Sequence, residues 1–292
     1  MALPLYDFIY FIMFIFKTVK DIAAYLDAQR AQGKIIAFVP TMGALHKGHL
    51  SLLKAAQQVP ALTVCSIFVN PTQFNNAADL EKYPRTTEQD IALLTEAACD
   101  VLFLPDVAEV YPDGRDIQEP YDLGYLESVL EGAYRPGHFQ GVAQVVERLL
   151  RIVKPHKLYL GQKDFQQVAV LRRLIDIRHL DVTLESVPTT REPDGLAMSS
   201  RNRRLTETQR SLAGLIYQCL VSIQSKKGMQ SFSVVQKECR ELLIHKGFRP
   251  DYIELADAAT LELLPDYDPS RKMVALIAAY IGEIRLIDNL VL

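Results

Sequence analysis

The sequence predicts a doubly wound α/β fold, a parallel sheet wrapped by helices, joined to a second, smaller α+β unit. Two observations carry this. From Ile35 to Val187, short apolar runs alternate with stretches of helical spacing, the pattern of strands paired in parallel through helical crossovers. After Pro188 the order becomes two helical stretches and then three strand-like runs, the mark of a separate α+β layer. Composition agrees: 292 residues, 49% hydrophobic and 23% charged, describe an ordinary globular chain with a sizeable core. The expected units are 1–188 and 189–292.

The first apolar run, Phe8–Phe16, has nine residues, whereas a spanning helix needs about 20. Asp7 precedes it and Lys17 and Lys20 follow, the reverse of a secretory signal. Its aromatic and β-branched residues favour a strand behind a leader. Met13 lies inside the run, so residues 1–12 read as an extension upstream of an alternative start. A segment touching a partner or membrane, or a targeting signal, are the other readings.

Strands are then expected at Ile35–Val39, Leu62–Val69, Val101–Leu104, Leu158–Leu160 and Val182–Val187. Between them, helices are expected at Gly48–Gln58, Thr86–Cys99 (capped by Thr86 or Thr87), Asp122–Leu130, Phe139–Val153 and Asp164–Ile177. The second unit opens with helices at Thr206–Ser225 and Ser231–His245. It closes with strands at Tyr252–Leu255, Met273–Tyr280 and Glu283–Ile287.

The net charge, 32 basic minus 35 acidic residues or −3, is not the footprint of a nucleic-acid binder. Cys65, Cys99, Cys219 and Cys239 are far apart, without a C-x-x-C pair. They read as reduced thiols of a cytoplasmic protein.

In a doubly wound sheet, ligands bind beyond the carboxyl ends of the strands, and the polar motifs fall there. After the first expected core strand comes PTMGALHKGH, Pro40–His49. His46 and His49 stand at a helix N-terminus, where free N–H groups and the positive dipole end suit phosphate. A histidine there stays neutral and donates N–H without ionising. Asn70 and Gln73 end the next strand, and their amides suit the hydroxyl and carboxylate groups of a small substrate. LGQKDFQQ (160–167) offers Gly161, the mobile charge of Lys163, and Asp164 as a helix cap or ribose ligand, with Gln167 one turn on. REPDGLAMSSRN (191–202) supplies serines and the Arg201 guanidinium, a phosphate clamp from the other side of a cleft. His138 in RPGHFQGV and Tyr83–Arg85 read as mainly structural, with Arg85 also a cleft candidate. No Walker-type motif, G-x-G-x-x-G, nucleophilic triad or metal-ligand set is visible. The donors suit attack on the α-phosphorus of a nucleoside triphosphate, with Mg2+ carried by the nucleotide.

PTMGALHKGH, SIFVNPTQF, DLEKYPRT, EGAYRPGHFQGV, LGQKDFQQ, REPDGLAMSSRN and RLIDN together resemble the pantothenate synthetases, the pantoate–β-alanine ligases, from about Met13 to the end. The resemblance implies a Rossmann-like fold, a homodimer and a two-step reaction through pantoyl adenylate, with release of AMP and pyrophosphate. It implies ATP contacts from Met42, Gly43, Ala44, Leu45, His46, Lys47, Gly48 and His49. Further ATP contacts fall on Gly161, Gln162, Lys163 and Asp164, on Thr190 through its backbone, and on Met198, Ser199, Ser200 and Arg201. His49, His46, Lys163 and Arg201 become the catalytic candidates. Gln73 and Gln167 would hold pantoate, Gln73 also lying near the β-alanine amine, and Asn70 would lie near the phosphates. Gln144 departs from the family's usual Thr. A nucleotidyltransferase of the same HxGH superfamily is the alternative enzyme; an interaction or membrane module on an inactive fold is the non-enzymatic one.

Overall fold

In the computed structural model, which describes residues 12–74, 77–117 and 119–292, the apolar runs form a six-stranded sheet. Its strands are β1 (Phe14–Phe16), β2 (Ile35–Thr41), β3 (Ala61–Ile67), β4 (Val101–Phe103), β5 (Lys157–Gly161) and β6 (Thr183–Val187). They lie in the order β1-β4-β3-β2-β5-β6, and each neighbouring pair is parallel. From β2 the chain runs outward to β3 and β4, then crosses back to lay β5 on the other side of β2. Between β2 and β5 the winding reverses, and this switch point opens a crevice at their carboxyl ends.

The connecting helices are α1 (Val19–Ala31), α2 (Lys47–Ala56), α3 (Ala77–Glu81), α4 (Thr87–Glu96), α5 (Val107–Val110), α6 (Glu131–Tyr134), α7 (His138–Val153) and α8 (Phe165–Ile177). Side chains alternate across β2, so both its faces are buried. Ile36 and Phe38 face a core built with α1, α7 and α8, including Ile22, Phe139, Leu149 and Leu171. Ala37 and Val39 face Leu52 and Ala56 of α2, while Leu94 of α4 packs with Cys65 and Leu102. Phe38 is fully buried, and its truncation to alanine would cost about 3–5 kcal/mol.

The C-terminal unit packs α9 (Glu207–Ala213), α10 (Leu215–Ser225) and α11 (Phe232–His245) on an antiparallel sheet of β7 (Phe248–Asp257), β8 (Met273–Ile281) and β9 (Ile284–Val291). Glu131 ties the units together. Its carboxylate accepts from Arg285 at 2.7 Å and from the Tyr252 hydroxyl at 2.8 Å.

Several expectations need correction. Of the Phe8–Phe16 run, Phe14–Phe16 pair with Val101–Phe103; Ile12 and Met13 precede the strand without regular structure, and residues 8–11 lie outside the described residues. Asp122–Leu130 contains a single 3-10 turn, Gly124–Glu127, and Leu130 leaves it at φ 48°. The helix expected over Thr206–Ser225 is two, meeting at Gly214, which packs against Asp194. α1 has no counterpart among the expected helices. Thr86 stands at the N-cap of α4 without a capping bond; its hydroxyl donates to Asp90 at 3.1 Å. Among the described residues, no helix is long and apolar enough to cross a membrane.

Candidate active site

β2 ends at Thr41, and the chain turns through Met42–Leu45 into α2. Gly43 takes φ +80° and Ala44 +49°, left-handed values that glycine adopts freely. The turn is held from beneath by Asp90 of α4, which is 1% exposed. Its carboxylate accepts the Ala44 N–H at 2.9 Å and the Leu45 N–H at 2.8 Å. Those amides are therefore committed to the protein. The side chains of Ala44 and Leu45 are buried. Met42, His46, Gly48 and His49 line the crevice; Gly43, Ala44, Leu45 and Lys47 are not among its lining residues.

His46 is the N-cap of α2, and the two histidines form a reciprocal capping box. His46 Nδ1 accepts the Gly48 N–H at 3.1 Å, and His49 Nδ1 accepts the His46 N–H at 3.3 Å. A neutral imidazole whose Nδ1 accepts carries its proton on Nε2, so the local fold fixes both tautomers. Burial lowers the pKa of His46 to about 4, with Lys163 and Arg203 adding to the effect. Burial, then His46 itself, lowers that of His49 to about 3. At neutral pH the rings, 4.0 Å apart, are two uncharged N–H donors. Gly48 makes the cap possible, since a Cβ there would lie 2.9 Å from His46 Nδ1.

β5 supplies the opposite wall. Lys163 lies 3.3 Å from Asp164. Burial would raise the Asp164 pKa, but Lys163, Arg201 and Arg135 outweigh it and lower it. Asp164, expected as a helix cap or a ribose ligand, makes no capping bond to α8. The adjacent glutamines divide their work. Both line the crevice, but Gln166 is buried and clasps Glu131 N–H, Leu126 O and Val129 O.

Asn70 lines the crevice, with its amide engaged inside the protein. It is 1% exposed, and its oxygen accepts from the Tyr111 hydroxyl at 2.7 Å. Its nitrogen donates to Gly141 O and Gln73 Oε1, each at 3.2 Å. An amide so occupied positions Gln73 and the start of α7. Gln73 Nε2 reaches Met42 Sδ at 3.1 Å. Arg135 donates to His138 Nε2 at 3.0 Å, so Nδ1 bears the proton and donates to Gln73 O at 2.9 Å. Burial, then Arg135, lowers the His138 pKa to about 4. His138 is thereby a brace for the Gln73 turn. Gln144, the departure on α7, donates to Arg115 O at 2.9 Å.

The C-terminal unit closes the third side. Thr190 donates its hydroxyl to Ser51 at 2.9 Å and accepts the Met198 N–H at 3.0 Å. Ser199 caps the turn by accepting Arg201 N–H, and Ser200 meets the Tyr83 hydroxyl at 3.1 Å. Arg201, expected as a phosphate clamp, shares Asp79 of α3 with Arg204, at 3.0 and 2.7 Å. An incoming phosphate competes with that carboxylate. The facing donors are N–H, ammonium and guanidinium, which fit phosphate oxygens and hence a magnesium–nucleotide complex bound through its phosphates.

The family model for pantoate-beta-alanine ligase matches residues 14–291. The chain belongs to this family. A curated pantothenate synthetase of Azobacteroides pseudotrichonymphae genomovar. CFP2 is 45% identical over 280 residues, 95% of this chain and 99% of the relative. A crystal structure of pantothenate synthetase from Thermus thermophilus superposes with TM-score 0.88 at 41% identity, covering 95% of this chain and 99% of that one. The pantoate-beta-alanine ligase of Francisella tularensis, crystallised with beta-gamma ATP and beta-alanine, is 37% identical with TM-score 0.80, covering 96% and 98%.

As a pantoate-beta-alanine ligase, the chain uses acids whose partners the motifs alone do not disclose. Asp79 opens DLEKYPRT and Glu131 opens EGAYRPGHFQGV, yet their long-range partners, like those of Asp90, lie 45 to 154 residues away in sequence. Asp90 had one readable trace, an acid at an inward position of an amphipathic helix. Arg203, which donates to Leu45 O at 3.0 Å, had none.

Proposed function

We propose that this ligase activates pantoate as pantoyl adenylate before joining it to β-alanine. In the first step a pantoate carboxylate oxygen bonds to the ATP α-phosphorus, and the bond from that phosphorus to pyrophosphate breaks. In the second, the β-alanine amine bonds to the acyl carbon, the bond to AMP breaks, and the amine loses a proton. The observation that carries this reading is the His46–His49 capping box: two neutral Nε2–H donors fixed opposite Lys163 across one crevice.

His49 and His46 stabilise charge gathering on the non-bridging phosphate oxygens, and no proton transfer is needed because pyrophosphate leaves readily. One such donor contributes about 10²–10³ in rate. Lys163 and Arg201 take the developing pyrophosphate charge. Gly161, Gln162, Asp164, Thr190, Met198, Ser199 and Ser200 frame the nucleotide, which brings Mg2+ on its phosphates. Gln73 and Gln167 hold pantoate, and Asn70 keeps Gln73 in place. Residues 189–292 close over the 1–188 unit. The family resemblance supports a homodimer, and four free, buried thiols support a reducing cytoplasm.

Mass-spectrometric product analysis tests the reading. ATP, Mg2+ and pantoate with β-alanine should give pantothenate, AMP and pyrophosphate. A stable nucleotidylated product that persists with β-alanine present would instead identify a nucleotidyltransferase.

A further inference from the structure

The RLIDN run (285–289) belongs to the C-terminal unit, yet its last residue reaches the phosphate side of the crevice. We propose that Asn289 is a positioning residue for Lys163, a role that rests on the ligase reading above. Asn289 is 2% exposed, and its Nδ2 donates to Gln162 O at 2.9 Å and to Lys163 O at 2.8 Å.

Those carbonyls belong to the two peptide planes on either side of the Lys163 Cα. Each plane is rigid, so holding both fixes the Lys163 backbone and with it the direction of its Cα–Cβ bond. Lysine's ammonium sits on a flexible four-carbon stem, and a wandering root would multiply the positions open to that charge. One amide group removes this freedom.

Asn289 is itself held. Its N–H donates to Asp288 at 2.8 Å. Asp288 accepts two bonds from Arg191, at 2.6 and 3.1 Å, and Arg191 also donates to Asn289 O at 3.1 Å. The Arg191 guanidinium lies over the Tyr217 ring at 4.1 Å. A continuous chain of contacts thus runs from α10 through the 188–199 loop and β9 to the Lys163 backbone.

A double-mutant cycle on the full-length enzyme tests this, reading single-turnover pyrophosphate release with ATP, Mg2+ and pantoate. Asn289→Ala should slow release by about 10–10² while the pantoate KM stays within about twofold. In a Lys163→Ala background the same change should cost less than about threefold, because coupled residues are not additive. Asn289→Ser, which keeps one hydroxyl donor, should show an intermediate loss and replaces the alanine variant if that one lacks a cooperative melt. Equal fold-losses in both backgrounds, in an enzyme whose wild type is active, would overturn the positioning role alone. A wild-type enzyme that releases no pyrophosphate with pantoate would overturn the ligase reading and this proposal together.

Discussion

Asp90 offers the sharpest structural test of how the histidine turn is built. In Asp90→Asn the new amide keeps one acceptor. Placed where Oδ1 now lies, that oxygen still receives Leu45 N–H and the Thr86 hydroxyl, at 2.8 and 3.1 Å. The NH2 group then faces the Ala44 N–H, which now donates to Oδ2 at 2.9 Å. One backbone donor is left unpaired, at about 1–3 kcal/mol. Asp90→Ala leaves two, about 2–6 kcal/mol by the same reckoning, against a usual net stability of about 5–15 kcal/mol. Urea unfolding should therefore rank wild type above Asn above Ala. Adenylation by the folded asparagine variant should fall by at least about tenfold, since small misplacements of catalytic groups are costly. An Asp90→Asn enzyme with unchanged urea midpoint and unchanged adenylation would refute the claim that this carboxylate sets the turn.

Other predictions concern the crevice itself. His49→Ala should cut pantoyl-adenylate formation by at least about 10² with the fold retained by circular dichroism; near-normal single-turnover adenylation would remove its assigned role. Gln73→Ala should chiefly raise the pantoate KM, leaving ligand polar groups unpaired, and an unchanged pantoate dependence would move pantoate elsewhere. For pH, His46, His49 and His138 have folded pKa values of about 4, 3 and 4, below the ordinary value of about 6.5. The unfolded chain therefore binds more protons between those limits, and stability falls as pH drops through about 6.5. The loss at pH 5 is on the order of 1–2 kcal/mol per histidine; equal urea midpoints at pH 7.5 and 5 would contradict these buried neutral rings.

Much of the fold is legible because both faces of the central strands are buried. The hydrophobic runs at Ile35–Val39 and Leu158–Leu160 need no partner to be recognised. α1 is less legible: only Ile22 and Leu26 are fully buried, and four of its other apolar residues are alanines, so no strong apolar stripe marks the helix. In the site, His46, His49, Lys163 and Gln167 were readable because they follow strands directly. Asn70 and Arg201 were half readable: sequence places them at the crevice but does not reveal that Tyr111, Gly141 and Asp79 already occupy them. Nor does spacing disclose a bond such as that between Glu131 and Arg285, which depends on how two separately folded sheets meet. The pair of histidine tautomers needed coordinates, since only hydrogen-bond partners assign the ring proton.

The measurement that tests the central claim most directly uses pantoate labelled with 18O in both carboxylate oxygens. If that carboxylate attacks the α-phosphorus, one labelled oxygen leaves in AMP and the other stays in the pantothenate amide carbonyl. AMP without label, or label recovered in inorganic phosphate alongside ADP, would contradict the adenylate and require a different activated acyl group.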